Sequence, residues 1–409
     1  MHDDPGGVPR DLLYVLLLFA LFVIPKALQR YRIPAAVTSL LLGVAVNLTG
    51  VFTGDATVYL LSTFGIVALF LFAGLEINGV ELRRDATPLV QYAVLWSVLV
   101  GAVASVAKAA FALDGRAALL TALAIMTPST GFILSSLAGF GLRPREQHTV
   151  KTVAISAELL ALGALFFVLQ STSVQRLALA TAAMLGLAVI IPLAFRAFAA
   201  TVAPFAPRSE FAFLLMIAVL CAYATRRLGV YYLVGAFVVG VAAQRFRARM
   251  PAMSSEKMVD ALEAFGSVFI PFYFFNAGLY VNATELTPSA VAIGLGLVVV
   301  FVPLRVAALA LHRRYVLRED VVGGRRVGIA MVPTLVFTLV LSDILRAYAA
   351  PQALVGALIV YTVVNTVIPA FALRTAPPEF EHVAAAAVQA LHSNSPTPVQ
   401  GQAADARKA

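Results

Sequence analysis

Runs of 16 to 25 mostly apolar residues recur along this chain from Leu12 to the neighbourhood of Ala372, each long enough to cross a hydrocarbon core as a helix. No soluble fold can bury so many such runs, and the 61% hydrophobic and 12% charged residues confirm that lipid is the solvent. In lipid the backbone must satisfy its own hydrogen bonds, which leaves helices for segments of this length. The spacing predicts thirteen, near 11–29, 34–50, 57–76, 88–112, 116–141, 149–171, 175–198, 209–226, 230–244, 262–281, 288–311, 324–345 and 351–373. The expected fold class is an all-α polytopic membrane protein, with a transmembrane domain over 1–374. The segment 375–409 is rich in Ala, Gln, Ser and Pro, cannot bury a core, and is expected to be a disordered cytoplasmic tail.

The first apolar run is expected to be a membrane helix rather than a cleaved leader, because the residues before it are not basic and no small-x-small cleavage site follows. The formal charge of +9 does not point to nucleic acid, since the cations sit in short loops between spans. They alternate along the chain. Lys26, Arg30 and Arg32, then Arg83 and Arg84, then Arg143, Arg145 and Lys151, and later Arg313, Arg314, Arg325 and Arg326 fall in every second loop. The positive-inside rule therefore places the N-terminus outside and the C-terminus in the cytoplasm of a cell's plasma or inner membrane. Arg226 and Arg227 are the exception, falling in a loop assigned to the outside. The single cysteine, Cys221, excludes a disulfide within the chain and makes a metal cluster implausible; no cofactor is expected.

The chain resembles itself at an offset of about 200 residues. Leu42-Gly43-Val44-Ala45 is similar to Val239-Gly240-Val241-Ala242. Phe70-Leu71-Phe72-Ala73-Gly74-Leu75 is similar to Phe274-Phe275-Asn276-Ala277-Gly278-Leu279, and Met126-Thr127-Pro128-Ser129 to Met331-Val332-Pro333-Thr334. Each match shifts by seven spans, and an odd shift inverts orientation. Two inverted repeats, about 34–171 and 230–373, are the pattern of secondary transporters with a site near the midplane.

The third match places that site. Pro128 and Pro333 both fall near mid-membrane, where proline removes a backbone donor and breaks a helix. Freed backbone at that depth must be buried in protein or line a cavity. Thr127, Ser129, Thr130 and Thr334 surround the breaks and offer oxygen ligands; simple packing kinks are the plainer alternative. In the next span, Glu158 and the neighbouring Ser156 stand near the midplane. An ionised carboxylate there costs several kcal/mol unless paired or solvated, so it is a functional candidate. Desolvation favours the neutral acid and a bound cation favours the carboxylate, so such a group can trade a proton for a metal cation. Its expected partner is Arg305, with snorkelling to the nearby basic loop as the alternative for that arginine. Asn276 is polar at depth and reads either as part of the site or as interhelical glue. Asp343 and Arg346 read as a solvated turn at a helix end, Lys151 as a helix start, and Asn282-Ala283-Thr284 is given no role. No phosphate loop, Ser/His/Asp set or metal motif is evident, so no enzymatic activity is expected.

These residues resemble the bacterial monovalent cation:proton antiporter-2 family, the group with sodium/proton and Kef-type potassium/proton exchangers. The resemblance spans about residues 12 to 373. Leu69-Phe70-Leu71-Phe72-Ala73-Gly74-Leu75-Glu76 is similar to the family's Phe-x-x-Gly-Leu-Glu, Val234-Gly235-Ala236-Phe237-Val238-Val239-Gly240 to its Gly-Ala-Phe-x-x-Gly, and Pro271-Phe272-Tyr273-Phe274 onward to its Pro-x-Phe-Phe-x-x-x-Gly. The resemblance implies a homodimer in the bilayer, two crossed discontinuous helices, and exchange of Na+ or K+ for H+ by alternating access. It also marks departures. Ala157-Glu158 stands where the family has Asp-Asp or Asn-Asp, Arg305 where it commonly has Lys, and Thr334-Leu335-Val336 where it often has Arg-Gly-Glu. The expected scheme has Glu158 hold proton and cation in turn, Thr127 and Ser129 ligate the cation, and Arg305 offset charge. An anion carrier built on Arg305, or a transport-inactive relative, remains the alternative.

Overall fold

The protein, seen as a computed structural model, is described over residues 9–77, 79–206, 209–227, 232–247, 256–318 and 320–373. The expected tail lies outside the described residues. Sixteen helices follow in order: α1 Arg10–Gln29, α2 Ala35–Asn47, α3 Ala56–Leu75, α4 Gly79–Arg84, α5 Ala86–Phe111, α6 Gly115–Met126, α7 Thr130–Ser136, α8 Pro144–Gln170, α9 Val174–Thr201, α10 Glu210–Arg227, α11 Tyr232–Arg247, α12 Glu256–Leu279, α13 Pro288–Tyr315, α14 Val321–Ala330, α15 Leu335–Ala347 and α16 Gln352–Ala372. Nine spans among the described residues are long and apolar enough to cross a membrane, with α6 and α7 taken as one, and ten if the bent pair α14 and α15 also counts as one. The shorter apolar α2 and α11 and the charge-bearing α10 complete the thirteen predicted segments. The six-residue α4, which ends on Arg83 and Arg84, was not foreseen.

Two groups of helices form. In one, α12 packs on α2 and α3, and α11 on α3 and α10; in the other, α13 packs on α16 and α14, α5 on α6 and α8, and α15 on α6 and α16. The first two spans of each repeat thus build one group and the last three build the other. Outward faces are apolar, as lipid requires: Phe19, Val98 and Val189 are all exposed.

The inverted repeat is visible in two glycine crossings. Gly43 of α2 lies against Gly278 of α12, where a Cβ on Gly43 would overlap the carbonyl oxygen of Phe275 and one on Gly278 that of Leu40. Gly74 of α3 lies against Gly240 of α11 in the same manner, facing the carbonyls of Phe237 and Leu71. The sequence repeat maps Gly43 onto Gly240 and Gly74 onto Gly278, so one crossing is the symmetry copy of the other. Only glycine lets two backbones approach this closely, and in lipid such contact is what holds helices together.

Candidate functional site

The predicted spans at 116–141 and 324–345 are both broken at their prolines. α6 starts under an Asp114 cap that accepts from the Ala117 N–H and stops at Met126; Thr127 to Ser129 are non-helical and α7 resumes at Thr130. α14 stops at Ala330, Val332 to Thr334 are non-helical, and α15 leaves at 47° to α14. The two breaks touch. The Ser129 N–H donates to the Pro333 carbonyl at 2.8 Å, and the Val336 N–H to Ser129 Oγ at 3.3 Å. The breaks therefore satisfy part of one another's freed backbone at full burial.

Around this crossing the charges are arranged by helix polarity. The C-terminal ends of α6 and α14 present unpaired carbonyls and a partial negative charge. Arg305 of α13, 7% exposed, sits on them: its Nη1 donates to the Val332 carbonyl at 2.7 Å and its Nη2 to the Met331 carbonyl at 2.7 Å. Longer bonds of 3.4 Å reach the Ile125 carbonyl and the Tyr361 hydroxyl, and Tyr361 itself donates to the Ile125 carbonyl at 2.9 Å. Arg305 is thus not the ion-pair partner of Glu158 that the sequence suggests. No ion pair joins them among the described residues, because two half-helix C-termini already supply the negative field that the guanidinium requires.

Glu158 lies midway along α8, 3% exposed. The Thr130 hydroxyl, at the start of α7, donates to the Ala154 carbonyl, one helical turn before Glu158, at 3.1 Å. Thr127 Oγ1 and Ser156 Oγ are buried with no hydrogen-bond partner among the described residues. Thr334 is tied elsewhere: its N–H donates to Asn365 Oδ1 at 3.2 Å, and its hydroxyl meets Thr362 Oγ1 at 3.0 Å. Asn276 is half-buried on α12, and no hydrogen bond joins it to the breaks among the described residues.

A cavity of about 850 Å³ runs between the two helix groups as far as Gly131 and Ile155, each within a turn of Thr130 or Glu158. Its rim carries two pairs the sequence did not single out, Lys151 with Glu76 at 3.5 Å and His148 with Asp85 at 2.8 Å. Lys151 is therefore more than a helix start. The reading of Asp343 and Arg346 as a solvated turn also changes. Arg346 grips Glu285, whose side chain is 3% exposed, through two 2.8 Å bonds, and Asp343 joins from the exposed side. Glu285 gave no sequence signal, since it lies between helices among polar residues. No group of His, Cys, Asp or Glu able to hold a transition metal occurs among the described residues, and Cys221 is a buried free thiol.

A family model described as "Sodium/hydrogen exchanger, transmembrane" matches residues 16–375. Two structures of the sodium proton antiporter MjNhaP1 from Methanocaldococcus jannaschii share the fold. The one at pH 8 superposes with a TM-score of 0.63 at 13% identity, covering 89% of this chain and 97% of that one. The other, from an electron microscopy map, gives 0.64 at 13% identity over 96% of this chain and 100% of that one. None of the curated proteins compared by sequence matches this chain.

Proposed function

Because the chain belongs to the sodium/hydrogen exchanger family, whose members are transmembrane transporters, we propose that it exchanges one monovalent cation for one proton at Glu158, by alternating access. The family match supports cation:proton exchange and does not reach down to the antiporter-2 or Kef-type division. The observation that carries the reading is a buried carboxyl with no ion pair among the described residues, set beside the meeting point of two broken helices.

Protonated, Glu158 is neutral and can remain in this dry position. Ionised, it needs a cation, and Thr130 with the unpartnered Thr127 hydroxyl and break carbonyls are the oxygens at hand. Ser129 acts on the scaffold, through its bonds to the second break. The cavity supplies the route to the site from one side. Arg305 offsets the carbonyl ends of α6 and α14 in every state, and a guanidinium does not deprotonate in proteins, so it releases no proton to the cycle. That leaves one titrating group and one-for-one exchange. The same bonds disfavour an anion carrier, because the donors an anion would use are already spent on Val332 and Met331.

The moving parts are the two helix groups, each drawing spans from both repeats, about 34–171 and 230–373, in a homodimer with its C-terminus in the cytoplasm of a plasma or inner membrane. The deciding experiment is proton flux in proteoliposomes on addition of sodium, potassium or lithium. Wild type responds to at least one cation and E158Q to none. Full flux in E158Q, or an anion response lost in R305A and kept in E158Q, overturns the reading.

A further inference from the structure

The inverted repeat has a chemical corollary at the breaks. In repeat one, Thr130 meets Ala154, one turn before Glu158, on α8; in repeat two, Thr334 meets Thr362 and Asn365 on α16. The three offsets, 204, 208 and 207 residues, lie within three residues of the 205 that relates the two breaks, so the correspondence is one of place in the fold, each threonine at a break facing the last span of its own repeat, rather than of aligned letters. Asn365 is therefore the counterpart of Glu158, an amide where the other repeat has an acid.

Its surroundings are those of an oxygen site. Thr334 Oγ1 receives Asn365 Nδ2 at 3.0 Å and lies 3.0 Å from Thr362 Oγ1, and the Thr338 hydroxyl, with one proton to give, has Thr334 Oγ1 and the Ala124 carbonyl at 2.8 Å and the Thr334 carbonyl at 3.0 Å. Thr366 donates to Asn365 Oδ1 at 3.3 Å. Thr334, Thr338, Thr362 and Asn365 are all 0% exposed. The amide nitrogen, a donor carrying partial positive charge, occupies the place among these oxygens that a cation would take.

We infer that Asn365 keeps a second ion site of this transporter permanently filled and neutral, and so limits the protein to one ion per cycle. This rests on Glu158 being the working site. A protonated aspartic acid has the donor and acceptor of asparagine in nearly the same shape, so N365D preserves the network while it holds its proton. Once ionised, it cannot donate to Thr334 Oγ1, and the carboxylate and hydroxyl oxygens that then face one another need a cation between them. The proton leaves as the cation enters. The charged and titratable side chains on the elements packed around the site are Arg305 on α13, bonded to the same break, His312, Arg313 and Arg314 in the last turn of α13, Arg116 at the start of α6, Arg325 and Arg326 on α14, and Asp343 and Arg346 at the far end of α15.

The test counts protons released per polypeptide when sodium or potassium is added to purified protein in weakly buffered detergent. Wild type releases up to one and E158Q none. N365D releases up to two, and the double variant E158Q/N365D recovers one. One proton from N365D together with none from the double variant overturns the inference. So does failure of N365D to fold at both pH 6 and pH 8, because the protonated acid supplies the bonds of the amide. Equal release from wild type and E158Q would instead overturn the role of Glu158, and the two failures are distinct.

Discussion

Arg305 donates its 2.7 Å hydrogen bond to the carbonyl of Val332, at the broken end of α14, and makes no ion pair with the buried Glu158. The guanidinium is the cap for two half-helices at once, which fixes its contribution as structural and electrostatic together. R305A strands the Met331 and Val332 carbonyls in a dry interior, each costing about 1–3 kcal/mol. Thermal unfolding in detergent should show the loss as a fall in Tm well beyond that of R305K. A lysine keeps the charge but not the planar fork, so R305K should retain exchange with reduced stability.

Thr130 links the first break to the acid. When Glu158 ionises, the Thr130 hydroxyl can turn from the Ala154 carbonyl one turn away to the carboxylate, a charge-assisted bond of roughly 1.5–3 kcal/mol that T130V removes while costing the protonated acid less. The apparent KM for the cation should rise by about tenfold or more at fixed pH. T130S should behave as wild type. Equal kinetics in T130V and wild type would show that the hydroxyl serves only the Ala154 carbonyl.

The glycine crossings predict a matched set of melts. A Cβ at Gly43, Gly278, Gly74 or Gly240 meets backbone carbonyl oxygen, which cannot turn aside as a side chain can, whereas a Cβ at Gly101 meets nothing within 4 Å. The four alanine variants at the crossings should each lose about 1–3 kcal/mol. G101A should be neutral or slightly stabilised, since alanine is the better helix former. Similar losses within each symmetry pair, Gly43 with Gly240 and Gly74 with Gly278, would show that the crossings bear equal load.

At the opposite end of α15, Arg346 holds the buried Glu285 across 61 residues of sequence. Removing one partner of a buried pair costs about 3–5 kcal/mol; Arg346 is 23% exposed, so the loss in E285A belongs at or below the lower bound. D343A, whose side chain is 54% exposed, should cost less than about 1 kcal/mol. A double-mutant cycle on Glu285 and Arg346 measures the coupling, and additive losses would contradict the geometry.

The sequence made the spans, the prolines and Glu158 legible because each is a local property: an apolar run, a missing donor, a charge where charge is costly. The repeat went further and paired the spans of the two halves, but the backbone crossings of Gly43 with Gly278 and Gly74 with Gly240 emerged only in the fold. What could not be read was pairing. Arg305 looked like a partner for Glu158 because opposite charges at similar depth suggest one another, yet helix ends carry charge that no residue letter records. Asn365 and Glu285 were missed for related reasons. An asparagine in an apolar helix and an acid in a polar loop are ordinary until the chain folds Thr334 and Arg346 onto them.

The cavity makes the orientation testable. Ser135 lines it and is exposed, whereas Ser289, exposed at the start of α13, is two residues beyond Thr287 on the loop that carries Glu285. The native Cys221 is buried, so a cysteine placed at either position is the reactive one. With the C-terminus in the cytoplasm, as proposed, S135C should react with a membrane-impermeant maleimide only in inside-out vesicles and S289C only in right-side-out vesicles. Adding the transported cation drives exchange between inward and outward states, and S135C labelling should slow as the cavity closes for part of each cycle. Labelling of S135C from the outer side would reverse the assigned topology and leave the site at Glu158 untouched.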